Sequence, residues 1–349
     1  MFKKMVTASV AVFLCTVFFS SVYAQNKELI GAGATFPYPL YSKMFDVYKQ
    51  EYNVTVNYQA IGSGGGIQQL VNKTVDFGAT DAFLSEKEME QSPDNSIVHI
   101  PVCLGAVVVT YNIPGNPVLQ MNPEVLEEIF LGTIKKWNDK KIQAVNPGIK
   151  LPTTNITVVT RSDGSGTTFI FTDYLTKIGA QWAKTVGTGK SVNFPIGLGA
   201  KGNAGVAGMI KETPGSIGYV ELIYALQNKM AVGIVKNKSG SYIKPTLESV
   251  SAAAAVKIPD DTRVSLTNTD APQGYPISSF TWIILFKEQN YNSRSKDTAK
   301  TLIEALWWIT HQGQKYAAPL EYSPLPKPAV DQSEKLLKSI TYNGMPILK

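Results

Sequence analysis

The residues best suited to chemistry lie in one short stretch, which reads Arg161-Ser162-Asp163-Gly164-Ser165-Gly166-Thr167-Thr168. A β-branched run precedes it and an apolar run follows it, so a strand, a glycine turn and a helix are predicted in that order. Unpaired backbone N–H groups at a helix start carry the positive end of the peptide dipole and favour an anion. Hydroxyls at Ser165 and Thr167 add donors, and the planar Arg161 guanidinium suits oxyanions. The stretch therefore predicts a site for an anion with several oxygens.

Two further glycine-rich turns repeat this strand–turn–helix pattern, and each carries a hydroxyl. They read Gly31-Ala32-Gly33-Ala34-Thr35 and Gly62-Ser63-Gly64-Gly65-Gly66. In open α/β sheets such turns meet at the carboxyl ends of the strands, where ligands gather. The alternative is that the turns serve backbone geometry alone, with Arg161 paired to Asp163 on the surface. Three turns of one type favour a ligand site over that alternative.

Asp81 follows the strand predicted at Val75 to Thr80, at the edge where the turns would converge. It could instead cap a helix that starts near Ser85, and the sequence alone favours that simpler role. If Asp81 does face the anion, its carboxylate would repel a fully ionised oxyanion and accept a hydrogen bond from one that keeps a proton. Monohydrogen phosphate keeps a proton near neutral pH, whereas sulfate does not. Discrimination of roughly 10⁴-fold is feasible on that basis.

The rest of the sequence predicts an α/β frame for these turns. With 349 residues, of which 44% are hydrophobic and 17% charged, two globular domains are expected. Short strand-like runs such as Val54 to Tyr58 alternate with helical ones such as the helix opening at Ile67, which predicts mainly parallel sheets. A later helix is predicted after a cap at Ser295 or Asp297. On that helix apolar residues have helical spacing and the two tryptophans are expected to pack: Leu302, Ala305, Leu306, Trp307, Trp308 and Ile309.

The N-terminus predicts an exported protein. Residues 1–24 combine a basic start, a short apolar run and small residues, which is typical of a secretory signal peptide cleaved after Ala24. Cys15 follows Leu14 rather than a small residue, so no lipid anchor is predicted, and Cys103 remains as an unpaired cysteine. Loss of two lysines with the signal peptide lowers the net charge from +6 to +4, without the clustered basic patch that nucleic acid requires. A bacterial periplasm is the expected location.

Two stretches come close to nucleotide-binding motifs, but neither supports a nucleotide site. The run from Gly197 to Gly202 matches G-x-G-x-x-G, with Glu221 at about the dinucleotide spacing, but Pro195 interrupts the preceding strand-like run. A lone match of this kind is weak. The Gly-Lys-Ser at 189–191 resembles the end of a P-loop, but position 184 is Lys184 where the first glycine is required.

The sequence also lacks the residues that a catalytic site would need. A serine nucleophile needs a base and zinc needs several ligands, whereas the chain has only His99 and His311, both expected to be structural or exposed. The sequence therefore predicts no catalytic residue, no metal and no cofactor.

Several motifs occur in chain order over most of the mature chain. They are Gly31-Ala32-Gly33-Ala34-Thr35-Phe36-Pro37, Gly62-Ser63 with Gly65-Gly66, Asp76-Phe77-Gly78-Ala79-Thr80-Asp81, Gly132-Thr133-Ile134-Lys135-Lys136-Trp137, Asp163-Gly164-Ser165-Gly166-Thr167, Pro195-Ile196-Gly197-Leu198-Gly199 and Gly218-Tyr219-Val220-Glu221. Through them the sequence closely resembles the PstS family, the periplasmic phosphate-binding proteins of ABC-type phosphate importers.

The resemblance implies the two-lobed fold of periplasmic binding proteins, in which two α/β lobes are joined by a hinge of two crossovers. Residues 25–107 and 276–349 would form lobe I, and residues 108–275 would form lobe II. Ile277 to Phe286 would be the strand that returns to lobe I. Because the site would combine residues of both lobes, ligand binding and lobe closure would be coupled.

The resemblance also implies the binding residues. Phosphate would be bound by Thr35, Phe36, Ser63, Asp81, Arg161, Ser165, Gly166 and Thr167, with Asp163 supporting Arg161. Asp81 would be the acceptor that selects protonated phosphate. Two positions depart from the family pattern without removing a ligand contact: Thr80 where serine is common and Phe83 where proline is frequent. A third departure, Gly64 where serine is frequent, would loosen the glycine-rich turn slightly.

The implied function is high-affinity binding of inorganic phosphate and its delivery to the membrane permease subunits of an importer. The protein would be a monomer and not an enzyme, without a membrane span after signal cleavage. A different oxyanion, a secreted phosphatase on the same scaffold, and a surface adhesin or signalling role are the alternatives that remain open.

Overall fold

A computed structural model describes residues 27–91 and 96–348 of the chain. The predicted signal peptide and its cleavage site lie outside the described residues. The strands are β1 (Lys27–Gly33), β2 (Val54–Ala60), β3 (Phe77–Thr80), β4 (Ile97–Tyr111), β5 (Gln120–Met121), β6 (Thr157–Arg161), β7 (Leu198–Ala200), β8 (Ser216–Glu221), β9 (Ala231–Val232), β10 (Ile234–Lys236), β11 (Tyr242–Ile243), β12 (Ser278–Phe286), β13 (Thr341–Tyr342) and β14 (Met345–Pro346).

The helices alternate with these strands through most of the chain. They are α1 (Tyr38–Tyr52), α2 (Ser63–Val71), α3 (Glu86–Met89), α4 (Pro123–Phe130), α5 (Lys140–Val145), α6 (Gly166–Ile178), α7 (Ala180–Thr185), α8 (Gly202–Glu212), α9 (Leu222–Gln227), α10 (Leu247–Ala253), α11 (Lys296–Thr310) and α12 (Lys327–Lys338), with 3₁₀ turns at Gln312–Tyr316 and Ala318–Leu320.

One long strand joins the two lobes of the molecule. The main sheet has the order β2-β1-β3-β12-β4-β8-β6-β7, with β9 also paired to β4. Strand β4 pairs with β12 over Ile97–Ala106 and with β8 over Val107–Tyr111, so it belongs to both halves of the sheet. All of its 15 residues are buried. The first lobe is built on β2-β1-β3-β12 and the second on β8-β6-β7, which is the architecture of a two-lobed periplasmic binding protein.

The sheet is mixed rather than mainly parallel. Strands β1, β2 and β3 are parallel to one another, and so are β6, β7 and β8. The central strands β4 and β12 are antiparallel to each other. Strand β12 is also antiparallel to β3, and β4 is antiparallel to β8. Alternation of strands and helices predicts the parallel outer strands correctly. It does not reveal that β4 leaves the first lobe while β12 returns to it in the opposite direction.

Each lobe has its own aromatic core. In the first, Tyr41 and Phe45 of α1 contact Tyr58 and Phe77 of the sheet, with ring centroids 5.3 Å apart for Tyr41–Tyr58 and 6.2 Å for Phe45–Phe77. In the second, the buried rings of three residues meet at 4.4 to 6.1 Å: Phe130, Phe171 and Tyr219. Burying side chains of this size stabilises each lobe by about 1.5–3 kcal/mol per side chain.

The predicted helices and strands are largely confirmed, but one helix begins earlier than predicted. The helix expected to open at Ile67 begins at Ser63, because the turn is complete at Gly62, whose φ is +93°. The hydroxyl of Ser295 caps α11 by accepting from the Thr298 amide at 3.0 Å, and Trp308 is buried as expected. Across residues 27–91 and 96–348, no helix combines the length and hydrophobicity needed to cross a membrane.

Candidate functional site

The three glycine turns meet between the two lobes, as the sequence predicts. The Gly64 amide donates to the Gly164 carbonyl at 2.9 Å, and the Gly166 amide donates to the Ser63 hydroxyl at 3.0 Å. Gly62 shows why glycine is needed here. A Cβ at this position would lie 2.3 Å from a carboxylate oxygen of Asp163 on the opposite lobe, and its φ of +93° disfavours other residues. The turns thus bring the N-termini of α2 and α6 face to face.

Arg161 is paired with Asp163, but not on the surface. Arg161 ends β6, and its Nε and Nη2 donate to the two oxygens of Asp163 at 2.7 and 2.5 Å. The Arg161 side chain is only 1% exposed and that of Asp163 12%. Burial by itself would raise the pKa of Asp163, but hydrogen bonds and charge from Arg161 outweigh burial and lower the pKa below its ordinary value. The bidentate pair therefore holds an ionised fork in the site, with Nη1 turned 3.3 Å from the Thr167 hydroxyl.

The first turn of α6 supplies three of the predicted residues. Ser165 is the N-cap, and its hydroxyl oxygen accepts from the Thr168 amide at 3.0 Å. Gly166 has no room for a side chain, since a Cβ would lie 2.6 Å from both Asp81 Oδ2 and the Ser63 hydroxyl. Thr167 is fully buried. The positive end of this helix therefore points at the place where Asp81 and Ser63 meet it.

Asp81 does not cap a helix. Helix α3 is capped by Ser85, which forms a capping box with Glu88. Asp81 is only 2% exposed and lies in the site, with Oδ1 accepting from the Thr281 hydroxyl at 2.8 Å and Oδ2 3.5 Å from the Ser63 hydroxyl. Burial raises the pKa of Asp81 to about 7, although Thr281, Arg161 and Ser63 each lower it. A carboxyl that titrates near neutral pH is thus placed against an arginine and a helix N-terminus.

The Thr35–Phe36 turn is anchored through its carbonyls. The Thr35 carbonyl accepts from the Tyr224 hydroxyl at 2.6 Å, and the Phe36 carbonyl accepts from the Tyr322 hydroxyl at 2.6 Å. The Phe36 ring is fully buried and the Thr35 residue is 8% exposed. Every residue predicted to bind the anion therefore lies in this buried region.

Sequence reasoning missed a fourth turn in the same place. The G-x-G-x-x-G run ends at Gly202, whose amide donates to Asp163 Oδ1 at 3.0 Å. Asn203, fully buried, then donates from its side-chain amide to the Thr35 hydroxyl at 2.9 Å and the Thr167 hydroxyl at 3.0 Å. The glycine motif was the available indication, since it marks a strand, a turn and the start of α8.

The three departures from the family pattern have local structural roles. The Thr80 hydroxyl donates to the Ala82 carbonyl at 2.6 Å and shapes the turn that carries Asp81. The Phe83 ring lies edge-on to Phe169 of α6, with centroids 5.7 Å apart. A Cβ at Gly64 would be 3.1 Å from the Gly164 Cα, so glycine here allows the close approach of the two turns.

A cavity of about 550 Å³ borders the site, with Thr35, Asp163, Gly202 and Lys201 among its lining residues.

The two histidines have structural contacts outside the site. His99 accepts from the Leu84 amide at 3.1 Å, and burial together with the charge of Arg263 lowers the pKa of its ring to about 3. His311 stacks on Trp307. Burial raises the pKa of the Cys103 thiol well above its ordinary value, so it stays protonated.

The two-lobed fold, with a buried polar cluster between its lobes, is that of a binding protein of the periplasmic type, and the PBP superfamily domain model matches residues 21–306. The chain is 42% identical over 315 residues to the phosphate-binding protein PstS of Haemophilus influenzae, covering 88% of this chain and 92% of that one. It is 40% identical to PstS of Methanocaldococcus jannaschii, covering 81% and 78%. The chain therefore belongs to the PstS family of phosphate-binding proteins.

Solved structures show the same fold at lower sequence identity. The periplasmic phosphate-binding protein PfluDING, bound with phosphate at pH 8.5, aligns with a TM-score of 0.71 at 21% identity over 88% of this chain and 93% of that one. A phosphate-binding protein from Stenotrophomonas maltophilia aligns with a TM-score of 0.66 at 18% identity, covering 87% and 92%.

Proposed function

We propose that this protein binds one inorganic phosphate between its lobes and delivers it to the membrane subunits of an ABC-type importer. The observation that carries the proposal is the placement of Arg161 and Asp81 on opposite sides of one buried site. The donors around them are the groups predicted from the family resemblance: Thr35, Phe36, Ser63, Ser165, Gly166 and Thr167. Asp163 holds the guanidinium in place.

Selectivity follows from the single carboxylate. The other groups proposed to contact the ligand are donors, which suit the unprotonated oxygens of phosphate, and the Asp163 carboxylate is occupied by Arg161. Asp81 accepts a hydrogen bond from the oxygen that carries the proton. Sulfate has no proton to offer, so at a pH above the pKa of Asp81 it would leave the ionised carboxylate unpaired against an anionic oxygen, at a cost on the order of several kcal/mol.

The proposed lobe boundaries are 107/108 and 275/276. The first is supported by the change of β4 partner between Ala106 and Val107. One segment assigned to lobe II nevertheless packs on the first lobe. The Thr262 hydroxyl donates to the His99 carbonyl at 2.7 Å, and Arg263 Nη1 donates to the Leu84 carbonyl at 3.1 Å. We propose that the segment around these two residues moves with lobe I.

Export by the N-terminal segment would place the mature protein in the periplasm as a monomer. There the importer would recognise the closed, phosphate-bound form, because in that form both lobes together present one surface to the membrane subunits.

Titration calorimetry on residues 25–349 tests the proposal, after unfolding and refolding to remove bound anion. We expect 1:1 binding of phosphate and no heat with sulfate at pH 7 to 8. Arg161→Lys keeps the charge but loses the fork, so phosphate affinity should fall by roughly 10–100-fold. Asp81→Asn should narrow the difference between phosphate and sulfate.

Arg263→Lys is the control, because Arg263 also pairs with an aspartate two residues away, Asp261, with Nε 2.8 Å from Oδ2, but lies outside the proposed site. Its phosphate affinity should equal that of the wild type. A folded wild-type protein that gives no heat with phosphate would overturn the proposal. Hydrolysis of a chromogenic phosphate ester would instead favour an enzyme.

A further inference from the structure

Asn203 joins the two lobes inside the site. It lies in the first turn of α8, and its Nδ2 donates to the hydroxyl of Thr35 from one lobe and of Thr167 from the other. Its backbone amide also donates to the Thr35 hydroxyl, at 3.2 Å. The residue is fully buried. One side chain therefore contacts two residues of the proposed phosphate site that are far apart in the sequence.

The orientation of this amide is set by a third contact. The Glu221 backbone N–H donates to Asn203 Oδ1 at 2.9 Å. Rotating the amide by half a turn would place its NH₂ group against that N–H and its oxygen against the two hydroxyls. The observed arrangement satisfies both sides of the amide, so Nδ2 is held as the donor to both threonines.

This arrangement determines what the two hydroxyls can do. A hydroxyl has two acceptor positions and one proton. The Thr35 oxygen accepts from the Asn203 backbone and side chain, and the Thr167 oxygen accepts from Asn203 and from Arg161 Nη1 at 3.3 Å. Within the described part of the chain neither hydroxyl donates to a protein acceptor. Each proton is therefore left for a ligand.

We propose that Asn203 is a positioning residue that commits the Thr35 and Thr167 hydroxyls to donate to the bound anion. The inference rests on the proposed function and deepens it. Ligand oxygens facing these two threonines must be unprotonated, so the one proton of monohydrogen phosphate is directed to Asp81. Selection for a singly protonated anion thus depends on Asn203 as well as on the carboxylate.

A double-mutant cycle on the mature chain tests this role by phosphate calorimetry. Thr35→Val and Thr167→Val remove the hydroxyls with little change of shape. We expect Asn203→Ala to weaken phosphate binding by on the order of 10-fold in the wild-type background. In the Thr35→Val/Thr167→Val background the same substitution should change affinity by less than about 2-fold, because its targets are gone.

A purely structural role for Asn203 predicts the opposite result, with the same loss of affinity in both backgrounds, and that outcome would overturn the inference. Asn203→Asp gives a second readout. Its carboxylate would accept both hydroxyl protons and repel the anion, so we expect a loss on the order of 100-fold or more. Affinity within a few-fold of wild type would contradict the inference.

Asn146→Ala is the control, because Asn146 is also a buried asparagine with backbone partners on both sides of its amide, at Gln120. It should reduce thermal stability without changing phosphate affinity. If Asn203→Ala does not fold, Asn203→Ser enters the same cycle. Wild-type binding is measured in the same series. A wild type that does not bind phosphate refutes the proposed function, whereas a wild type that binds with an additive cycle refutes only the role of Asn203.

Discussion

The hydroxyl of Thr281 donates to Asp81 Oδ1 at 2.8 Å, across 200 positions of sequence. Thr281 lies on the returning strand β12, next to β3, which carries Asp81 at its end. This hydrogen bond favours the ionised carboxylate and leaves Oδ2 turned to the site. The crossover strand therefore helps to keep Asp81 an acceptor.

We predict that Thr281→Val raises the pKa of Asp81 above its value of about 7, because burial remains while a hydrogen bond to the charged form is lost. When phosphate affinity is measured from pH 5 to 9, the change in affinity that accompanies ionisation of Asp81 should occur at higher pH in the variant than in the wild type. The ionisation of free phosphate is the same in both experiments, so a difference between the two pH profiles comes from the protein. Superimposable profiles would contradict the prediction. Among the described residues, the other titratable groups that act electrostatically with Asp81 are Tyr41, Tyr58, Cys103, Arg161, Glu221 and Tyr224.

We predict that Asp81→Asn stabilises the phosphate-free protein at pH 8. Burial raises the pKa of Asp81 from 3.8 to about 7, so the folded protein holds this proton more tightly than the unfolded chain. Stability is therefore lost as the pH rises from about 4 to about 7, by up to about 4 kcal/mol. Urea unfolding of the variant and the wild type at pH 8 and near pH 4 measures the free energy of unfolding and checks this. The gain from the substitution should be present at pH 8 and absent near pH 4, and a less stable variant at pH 8 would refute it.

We predict that Phe83→Ala speeds phosphate release by roughly 2–10-fold, because the edge-on contact with Phe169 of the opposite lobe favours closure. Stopped-flow displacement of bound phosphate measures the rate. Tyr52→Ala is the matched control, since Tyr52 stacks on Tyr48 within a single helix, with centroids 4.6 Å apart. Equal release rates for Phe83→Ala and wild type would show that the contact does not contribute to closure.

We predict that Lys190→Met also speeds release, by up to about 5-fold at low salt and less at high salt. Lys190 Nζ lies 2.7 Å from Glu88 Oε1, and their side chains are 18% and 22% exposed. The pair links the two lobes beside the site. Lys141→Met is the control, because Lys141 pairs with Glu124 and Glu128 on the surface of one lobe. A salt dependence unchanged from wild type in Lys190→Met would rule out a role in closure.

The turns could be predicted from the sequence because their signals are local. A β-branched run, glycines and hydroxyls within a few residues specify a strand, a turn and a helix start, and β6 with α6 forms in that way. Propensity and the dipole of the helix act over one or two turns of chain. The anion-binding character of Arg161 to Thr167 is visible for the same reason.

The role of Asp81 could not be decided locally. Its sequence context favours a helix cap, although the Ser85-x-x-Glu88 pattern marks the true cap. Only the contacts of Asp81 with Thr281 and Ser63, which are distant in sequence, place it in the site. The mixed sheet could not be predicted from local sequence either, because the direction of a strand depends on which lobe the segment enters and not on its own residues.

Local patterns in the sequence are enough to identify the groups available to the site: an arginine fork, hydroxyls, helix N-termini and one carboxylate. How these groups are used depends on contacts between segments that are distant in the sequence. Thr281 orients Asp81, Asn203 holds two hydroxyls as donors, and Tyr224 and Tyr322 fix the first turn. Such contacts cannot be read from local patterns because hydrogen bonds are short and directional, so residues far apart in sequence form them only after the folding of both lobes brings them within about 3 Å.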